Sequence, residues 1–186
     1  DAGTDWVSDT GAGGVRALDF DGSNDYVFSA TGGERKAGLT VSVWVYFTGA
    51  IFALCKAVAN EKSNTQDYQI EIARTDKKVS IIWGSNLIAT SNANLSAAWT
   101  HVAVTRSGSS GSWTWGIWIN GSLDKTGSTA VNPNGTSAGI ALGRNGETAN
   151  SYFPGLMDDV RIFDEALVSA DVLALYASGA GRGVQA

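Results

Sequence analysis

The sequence predicts an all-β fold, a two-sheet antiparallel β-sandwich of jelly-roll type with one short C-terminal helix. Three observations predict it. Short β-rich runs recur along the 186 residues, separated by clusters of Gly, Ser, Asn and Asp. Glycine is abundant at 23 residues and proline scarce at 2. Only the end of the chain carries helical spacing. About ten strands at short intervals plus one helix imply a sandwich, and a jelly roll is the topology expected.

Taken in order, VRALDF (15–20) and DYVFS (25–29) read as strands flanking the turn DGSN. LTVSVWVYFT (39–48) is apolar on both faces, as expected of a strand between two layers. IFALCKA (51–57), DYQIEIAR (67–74), KVSIIWG (78–84) and LIATS (87–91) follow. Then come WTHVAVTRS (99–107), WTWGIWING (113–121), GIALGR (139–144) and FPGLMDDVRIFD (153–164). SADVLALYASG (169–179) reads as the helix, with Ser169 as N-cap, Val172, Leu173 and Tyr176 at helical spacing, and Gly179 as its C-terminal stop. One domain over 1–179 and a loose Gly-rich tail over 180–186 are expected, with no internal repeat.

Composition narrows the function classes. The charge balance is 13 basic against 18 acidic residues, and no basic cluster occurs, which argues against nucleic-acid binding. No apolar run approaches the ~18 residues of a membrane span. The first residues, DAGTDW, do not read as a signal peptide. A single cysteine, Cys55, excludes an intramolecular disulfide. A chain of this length needs none, because it buries roughly 70% of its unfolded surface.

Four segments carry a family resemblance: ALDFDGSNDYV (17–27), LTVSVWV (39–45), WTHVAVTR (99–106) with GIWING (116–121), and GLMDDVRIFDEALVSADVLALYASG (155–179). In this order they resemble the laminin-G-like, concanavalin A-like lectin/glucanase superfamily, in its bacterial and phage LamG-like jellyroll branch. The resemblance implies two stacked antiparallel sheets, one of them concave. It says less about function, since members include carbohydrate-binding modules, adhesins, virion proteins and enzymes.

The resemblance also implies a metal. In similar domains the early DG-containing turn and the late DDVRI strand meet at one edge, where a calcium ion often sits. Calcium takes about 6–8 oxygen ligands at ~2.3–2.6 Å, and the turn offers several. Asp21, Asn24 and Asp159 are the expected ligands, with Asp158 and Asp25 as second choices, and the ion's role is structural. Strand alternation puts Asp158 and Asp159 on opposite faces, one of them inward. The competing reading makes Asp21 to Asp25 an ordinary Asx turn, and gives the inward aspartate backbone or Arg161 hydrogen bonds.

Catalysis finds little support. The superfamily's glucanases carry an E-x-D-x-x-E type pattern on one strand. Here Glu71 has Ala73 at i+2, and Asp164 and Glu165 fall at a strand end. The one histidine, His101, sits in a W-x-H-V pattern and reads as a packed, hydrogen-bonded residue. Cys55 reads as core. No Cys/His metal spacing and no phosphate-binding Gly loop appear. The protein is read as a non-enzyme.

Sugar binding needs an aromatic platform with polar neighbours. In GIWING, Ile117 and Ile119 share one face and Trp118 takes the other, so Trp118 is expected to face outward. Trp113 and Trp115 share the face of Ile117 unless a bulge at Gly116 changes the phase. Trp83 ends a strand beside a turn. Trp44 is expected in the core and Trp99 packed at its strand's start. The ligand-binding candidates are Trp118 and Trp83, with Arg144, Asn145 and Glu147 as polar contacts on a loop; the competing reading of that loop is a solvated one. Three glycosylation sequons, at Asn94, Asn120 and Asn134, are discounted because the branch is bacterial or viral.

The function expected first is a non-catalytic carbohydrate-binding or adhesion module, located outside the cell, on its surface or on a virion. Its partner would be a glycan or glycoconjugate. The alternative is a structural component, such as a virion decoration, fibre or surface-layer protein, packed against neighbouring subunits as an oligomer. A glycan-active hydrolase or lyase comes third, for want of an acid pair.

Overall fold

A computed structural model describes residues 5–7, 17–33, 37–47, 55–62, 65–72, 76–133, 138–144 and 151–180. They form strands β1 (Asp5–Val7), β2 (Ala17–Asp21), β3 (Val27–Gly33), β4 (Leu39–Phe47), β5 (Cys55–Lys62), β6 (Thr65–Ile72) and β7 (Lys78–Trp83). These are followed by β8 (Asn86–Asn94), β9 (Thr100–Ser109), β10 (Ser112–Ile119), β11 (Ser122–Thr129), β12 (Ala138–Leu142), β13 (Pro154–Phe163) and the helix α1 (Ser169–Ala180). A larger sheet of seven strands runs β1-β2-β13-β4-β9-β10-β11, and a smaller one of six runs β3-β12-β5-β6-β7-β8. Every pairing is antiparallel. The chain is a two-sheet antiparallel β-sandwich with one short C-terminal helix, as the sequence predicts.

Alternation builds the core. Val41, Val43, Val45 and Phe47 of β4, Val102 and Val104 of β9, and Trp113, Trp115 and Ile117 of β10 face inward from the larger sheet. Tyr68, Ile70 and Ile72 of β6 and Val79, Ile81 and Trp83 of β7 meet them from the smaller one. The expected shared face of Trp113, Trp115 and Ile117 is found; the register shift in this hairpin falls one step later, between Ile117 and Trp118.

The other face of β4 is covered as well. Thr40 Oγ1 donates to the Glu165 carbonyl (2.7 Å) and accepts from Leu167 N–H (2.9 Å), which seats the segment entering α1. Tyr176 of the helix then stacks on Trp44 at 5.6 Å, and Val172 packs against Ala103 and Trp118. Trp44 is thus buried, though beneath the helix and not between the sheets.

Four details differ from expectation. The first helical bond runs from Val172 N–H to the Val168 carbonyl, so Val168 is the N-cap and Ser169 the first helical residue. Gly179 lies inside the helix, where it is a packing glycine: a Cβ there would stand 2.2 Å from Trp44 Nε1. β11 has no apolar alternation and is missed by periodicity. β5 ends later than the apolar run 51–57 suggests, extending through Glu61 and Lys62, while residues 51–54 of that run lie outside the described residues. Cys55 opens β5, but its side chain lies outside the described features, as do residues 181–186 of the expected tail.

The outermost strands β8 and β11, one from each sheet, are stitched together. The Asp124 carboxylate accepts from Asn92 N–H (2.6 Å) and Ala93 N–H (2.9 Å), and Lys125 Nζ donates to the Thr90 carbonyl (2.8 Å). Side chains of one edge thereby satisfy backbone groups of the other, which blunts both against unwanted pairing.

Candidate functional site

The two aspartates of the DDVRI strand do not alternate. Asp159 has a left-handed backbone (φ 49°), and the β4–β13 register shifts between Asp158 and Arg161. This bulge breaks the period of two. Asp158 pairs with Trp44 and shares the outer face, and Asp159 accepts a bond from Arg161 Nε at 2.6 Å. Neither carboxylate is buried in the core, which corrects the inward expectation and favours the hydrogen-bonded alternative.

Of the expected calcium ligands, Asp21 and Asn24 share the early turn, and Asp159 stands apart from them. Asp21 pairs with Pro154, so Asp159 lies five residues along β13 from it. At ~3.3 Å per residue that is about 16 Å, several times the reach of one ion's coordination shell. Asp21 instead closes an Asx turn: its Oδ1 accepts from Ser23 N–H (2.7 Å) and Asn24 N–H (3.1 Å). The Ser23 amide foremost holds its carboxyl below the usual range. Asp25 Oδ2 accepts from Asp21 N–H (2.9 Å), which completes the loop. Among the described residues no group of three or more His, Cys, Asp or Glu side chains is placed to hold a metal.

The early turn meets Arg144. Gly143 has φ 81° and closes onto the Phe20 ring and the Asp25 carbonyl, where a Cβ would stand 2.4 Å from the ring. No side chain larger than hydrogen fits, so the end of β12 is drawn against the turn. Phe153 N–H donates to the Gly143 carbonyl (2.7 Å), and the Phe153 ring packs on Phe20 and Phe47. From this rigid base Arg144 projects over β3. Its guanidinium carbon stands 3.5 Å above the Tyr26 ring centroid and 5.9 Å from that of Phe28. Its Nε is buried and has no hydrogen-bond partner among the described residues.

Phe28 is 40% exposed. Its ring lies across Gly139, whose missing side chain makes the space. Phe28 belongs to the outer face of the smaller sheet, in a register row that runs Phe28, Ala141, Ala59, Gln69, Ile82. The next row carries Lys56, Glu71 and Ser80. Glu71 therefore has a lysine and a serine beside it in register, not a second acid. Gln69 and Glu71 are closed off from solvent, whereas Phe28 at one end of this row is 40% exposed and Leu87, paired with Ile82 at the other, is 62% exposed.

Both tryptophan candidates are placed differently. Trp83 is 1% exposed, set edge-on to Trp113 in the core, so it offers no platform. Its position at a strand end suggested exposure; inward alternation decided otherwise. Trp118 does take the face opposite Ile117, yet α1 covers it, leaving 9% exposed. Its Nε1–H donates to Thr105 Oγ1 (3.2 Å). Asn145 and Glu147 lie outside the described residues. Tyr26 and Phe28 were missed, although DYVFS carries a signal: two aromatics two residues apart share a face.

His101 is packed, as its pattern suggested. Its Nε2 is 2.8 Å from Ser42 Oγ, and its ring lies against Trp44 and Tyr176. Burial pushes it down to about 4.

A family model described as the concanavalin A-like lectin/glucanases superfamily matches residues 21–173. No curated protein matches the chain significantly. Among solved structures, domain 4 of an extracellular arabinanase from Geobacillus stearothermophilus, determined in complex with arabinotriose, superposes with a TM-score of 0.69 at 21% identity, covering 94% of this chain and 82% of that one. A heptameric SAP-like pentraxin from Limulus polyphemus gives 0.69 at 16% identity, over 85% and 80% of the two chains. The receptor-binding domain of botulinum neurotoxin type G gives 0.65 at 15% identity, over 95% of this chain but 45% of that one. At these identities the likeness is one of fold.

Proposed function

The chain belongs to the concanavalin A-like lectin/glucanases superfamily, and we propose from that premise that it is a non-catalytic carbohydrate-binding module. Its contact edge is Tyr26, Phe28 and Arg144. The observation that carries this reading is the Arg144 guanidinium stacked 3.5 Å above Tyr26 beside the half-exposed Phe28 ring. A saccharide has an apolar C–H face and a rim of hydroxyls. An exposed aromatic ring takes the first, and a stacked guanidinium directs its N–H groups to the second. Asn145 and Glu147 follow Arg144 in the chain and belong to the proposal as further polar contacts. The arabinanase domain with its arabinotriose supports a binding role for this architecture, and the extracellular character of that enzyme supports a place outside the cell or on its surface.

A glycan array on the folded protein tests this. Arg144→Gln and Phe28→Ala are each expected to weaken binding about tenfold, the loss of one stacking or charge-assisted contact of ~1–2 kcal/mol, with thermal stability little changed. A blank array, or binding indifferent to both substitutions, would remove the reading. Asp21 and Asp159 are too far apart along β13 to share one ion. Unfolding with calcium and with a chelator is expected to give the same Tm; a clear rise with calcium would restore a structural ion.

One observation favours a second reading, that of an assembly component. Leu123, Val168 and Leu173 are exposed around the β10–β11 hairpin and α1. Light scattering discriminates: a stable oligomer that covers these residues would support assembly.

A further inference from the structure

On the outer face of the larger sheet, remote from the Arg144 edge, a groove of about 200 Å³ opens between the β10–β11 hairpin and the segment entering α1. Four hydroxyls line it, those of Thr105, Ser107, Thr114 and Thr126, together with Trp118 and Leu123. No charged side chain is among the described residues lining it. Its floor is Gly116, which pairs with Thr105 on one side and Thr126 on the other. A Cβ on Gly116 would stand 2.8 Å from Thr105 Oγ1 and 3.0 Å from Trp118 Nε1. The glycine therefore does two things: it lets the Trp118–Thr105 bond form, and it leaves the groove open.

The hydroxyls retain hydrogen-bonding capacity of both signs. Thr105 Oγ1 accepts from Trp118 Nε1–H and keeps its own proton to donate. Thr126 Oγ1 donates to the Trp115 carbonyl (2.7 Å) and keeps its lone pairs. Ser107 and Thr114 share one bond at 2.7 Å, and Thr114 Oγ1 also donates to the Ser107 carbonyl (3.3 Å), which leaves this pair chiefly lone pairs to offer. Beside them stand the apolar Leu123, 48% exposed, and the edge of Trp118. A ligand matching this wall carries groups that both donate and accept, has no charge, and presents an apolar face. The volume lies below the ~300–1,000 Å³ of drug-sized pockets, so it suits one ring and not a chain.

We propose that this groove is a second binding site, which takes a single ring of an uncharged saccharide. It stands on different residues, and on a different sheet, from the Arg144 edge. With both sites in use, one domain holds two glycan segments on opposite sheets.

The test is a titration of the ¹⁵N-labelled protein with a panel of neutral monosaccharides and methyl glycosides at millimolar concentration, with a uronic acid as the charged control. The Trp118 indole N–H and the Gly116 amide report on the groove. Saturable shifts at both with a neutral sugar are expected, and none with the uronic acid. Thr114→Val, on an exposed position, is expected to weaken that binding at least fivefold while the rest of the spectrum stays in place. Arg144→Gln is expected to leave it unchanged, which separates this site from the edge. The proposal falls if no neutral sugar moves the two reporters, if Thr114→Val binds as tightly as the parent, or if Arg144→Gln abolishes the shifts.

Discussion

Arg106→Ala is expected to lower the free energy of unfolding by about 3–5 kcal/mol, the range for deleting a large buried side chain. Arg106 is 1% exposed, between the sheets. Its guanidinium carbon stands 5.5 Å from the Trp83 ring and 5.4 Å from the Trp113 ring. One indole comes from β7 of the smaller sheet and the other from β10 of the larger. The arginine therefore joins the two layers through both its stem and its charge. Desolvated cation–π contacts are worth up to about 2 kcal/mol each, and truncation also opens a cavity. Arg106→Lys is expected to fall between parent and Ala, since an ammonium cannot stack as a planar guanidinium does. Urea unfolding followed by tryptophan fluorescence measures both. An Arg106→Ala variant within 1 kcal/mol of the parent would show the stack to be incidental.

Acidification through the window from pH 6.5 to about 4 is expected to cost about 3 kcal/mol of stability, through His101. Desolvation lowers its pKa from the ordinary 6.5 to about 4 in the folded chain. In that window the unfolded chain binds a proton that the folded chain refuses, so stability rises with pH there. Above 6.5 both states are neutral and the contribution is complete; below about 4 both are protonated and it is gone. A depression of about 2.5 units at 1.36 kcal/mol per unit sets the size. Among the described residues the groups facing the ring are Ser42 and Trp44 from β4, Tyr176 from α1, and the more distant pair Asp159 and Arg161 on β13. Asp159 favours the charged ring and Arg161 opposes it, so burial decides. His101→Gln keeps a polar partner for Ser42 and removes the titration. It is expected to flatten the stability–pH slope between 4 and 6.5, leaving acid loss below that window to carboxylates such as Asp21. A variant with the parent's slope would place the titration elsewhere.

Local chemistry made much of the fold legible. LTVSVWVYF is long enough and apolar enough on both faces to mark a buried strand, and SADVLALYASG has its apolar residues at helical spacing. The Asx turn at Asp21 was equally legible, because a side-chain oxygen and the amides two and three residues on need nothing from the rest of the chain. SLDKTGST was not legible as a strand. β11 owes its place to pairing with β10 and to the Asp124 and Lys125 bonds to β8, which the sequence of β11 itself does not announce.

The candidate site divides in the same way. Arg144 was singled out as a loop residue beside a strand, but its partners Tyr26 and Phe28 lie more than a hundred residues away and became neighbours only when β12 paired with β3. Trp118 was assigned to the correct face by alternation and to the wrong environment, because alternation says which side of a sheet a residue takes, not what is laid over it. Asp158 and Asp159 failed for a related reason: a period of two holds only while the ladder is regular, and a bulge at Asp159 interrupts it. The sequence by itself determined the class of fold, the inward residues of its long strands and the short-range turns, all consequences of spacing along the chain. The tertiary structure alone decided which tryptophans are covered, that the early turn meets Arg144 and not Asp159, and where a sugar can reach the surface, because each of these depends on strand register and on the docking of α1.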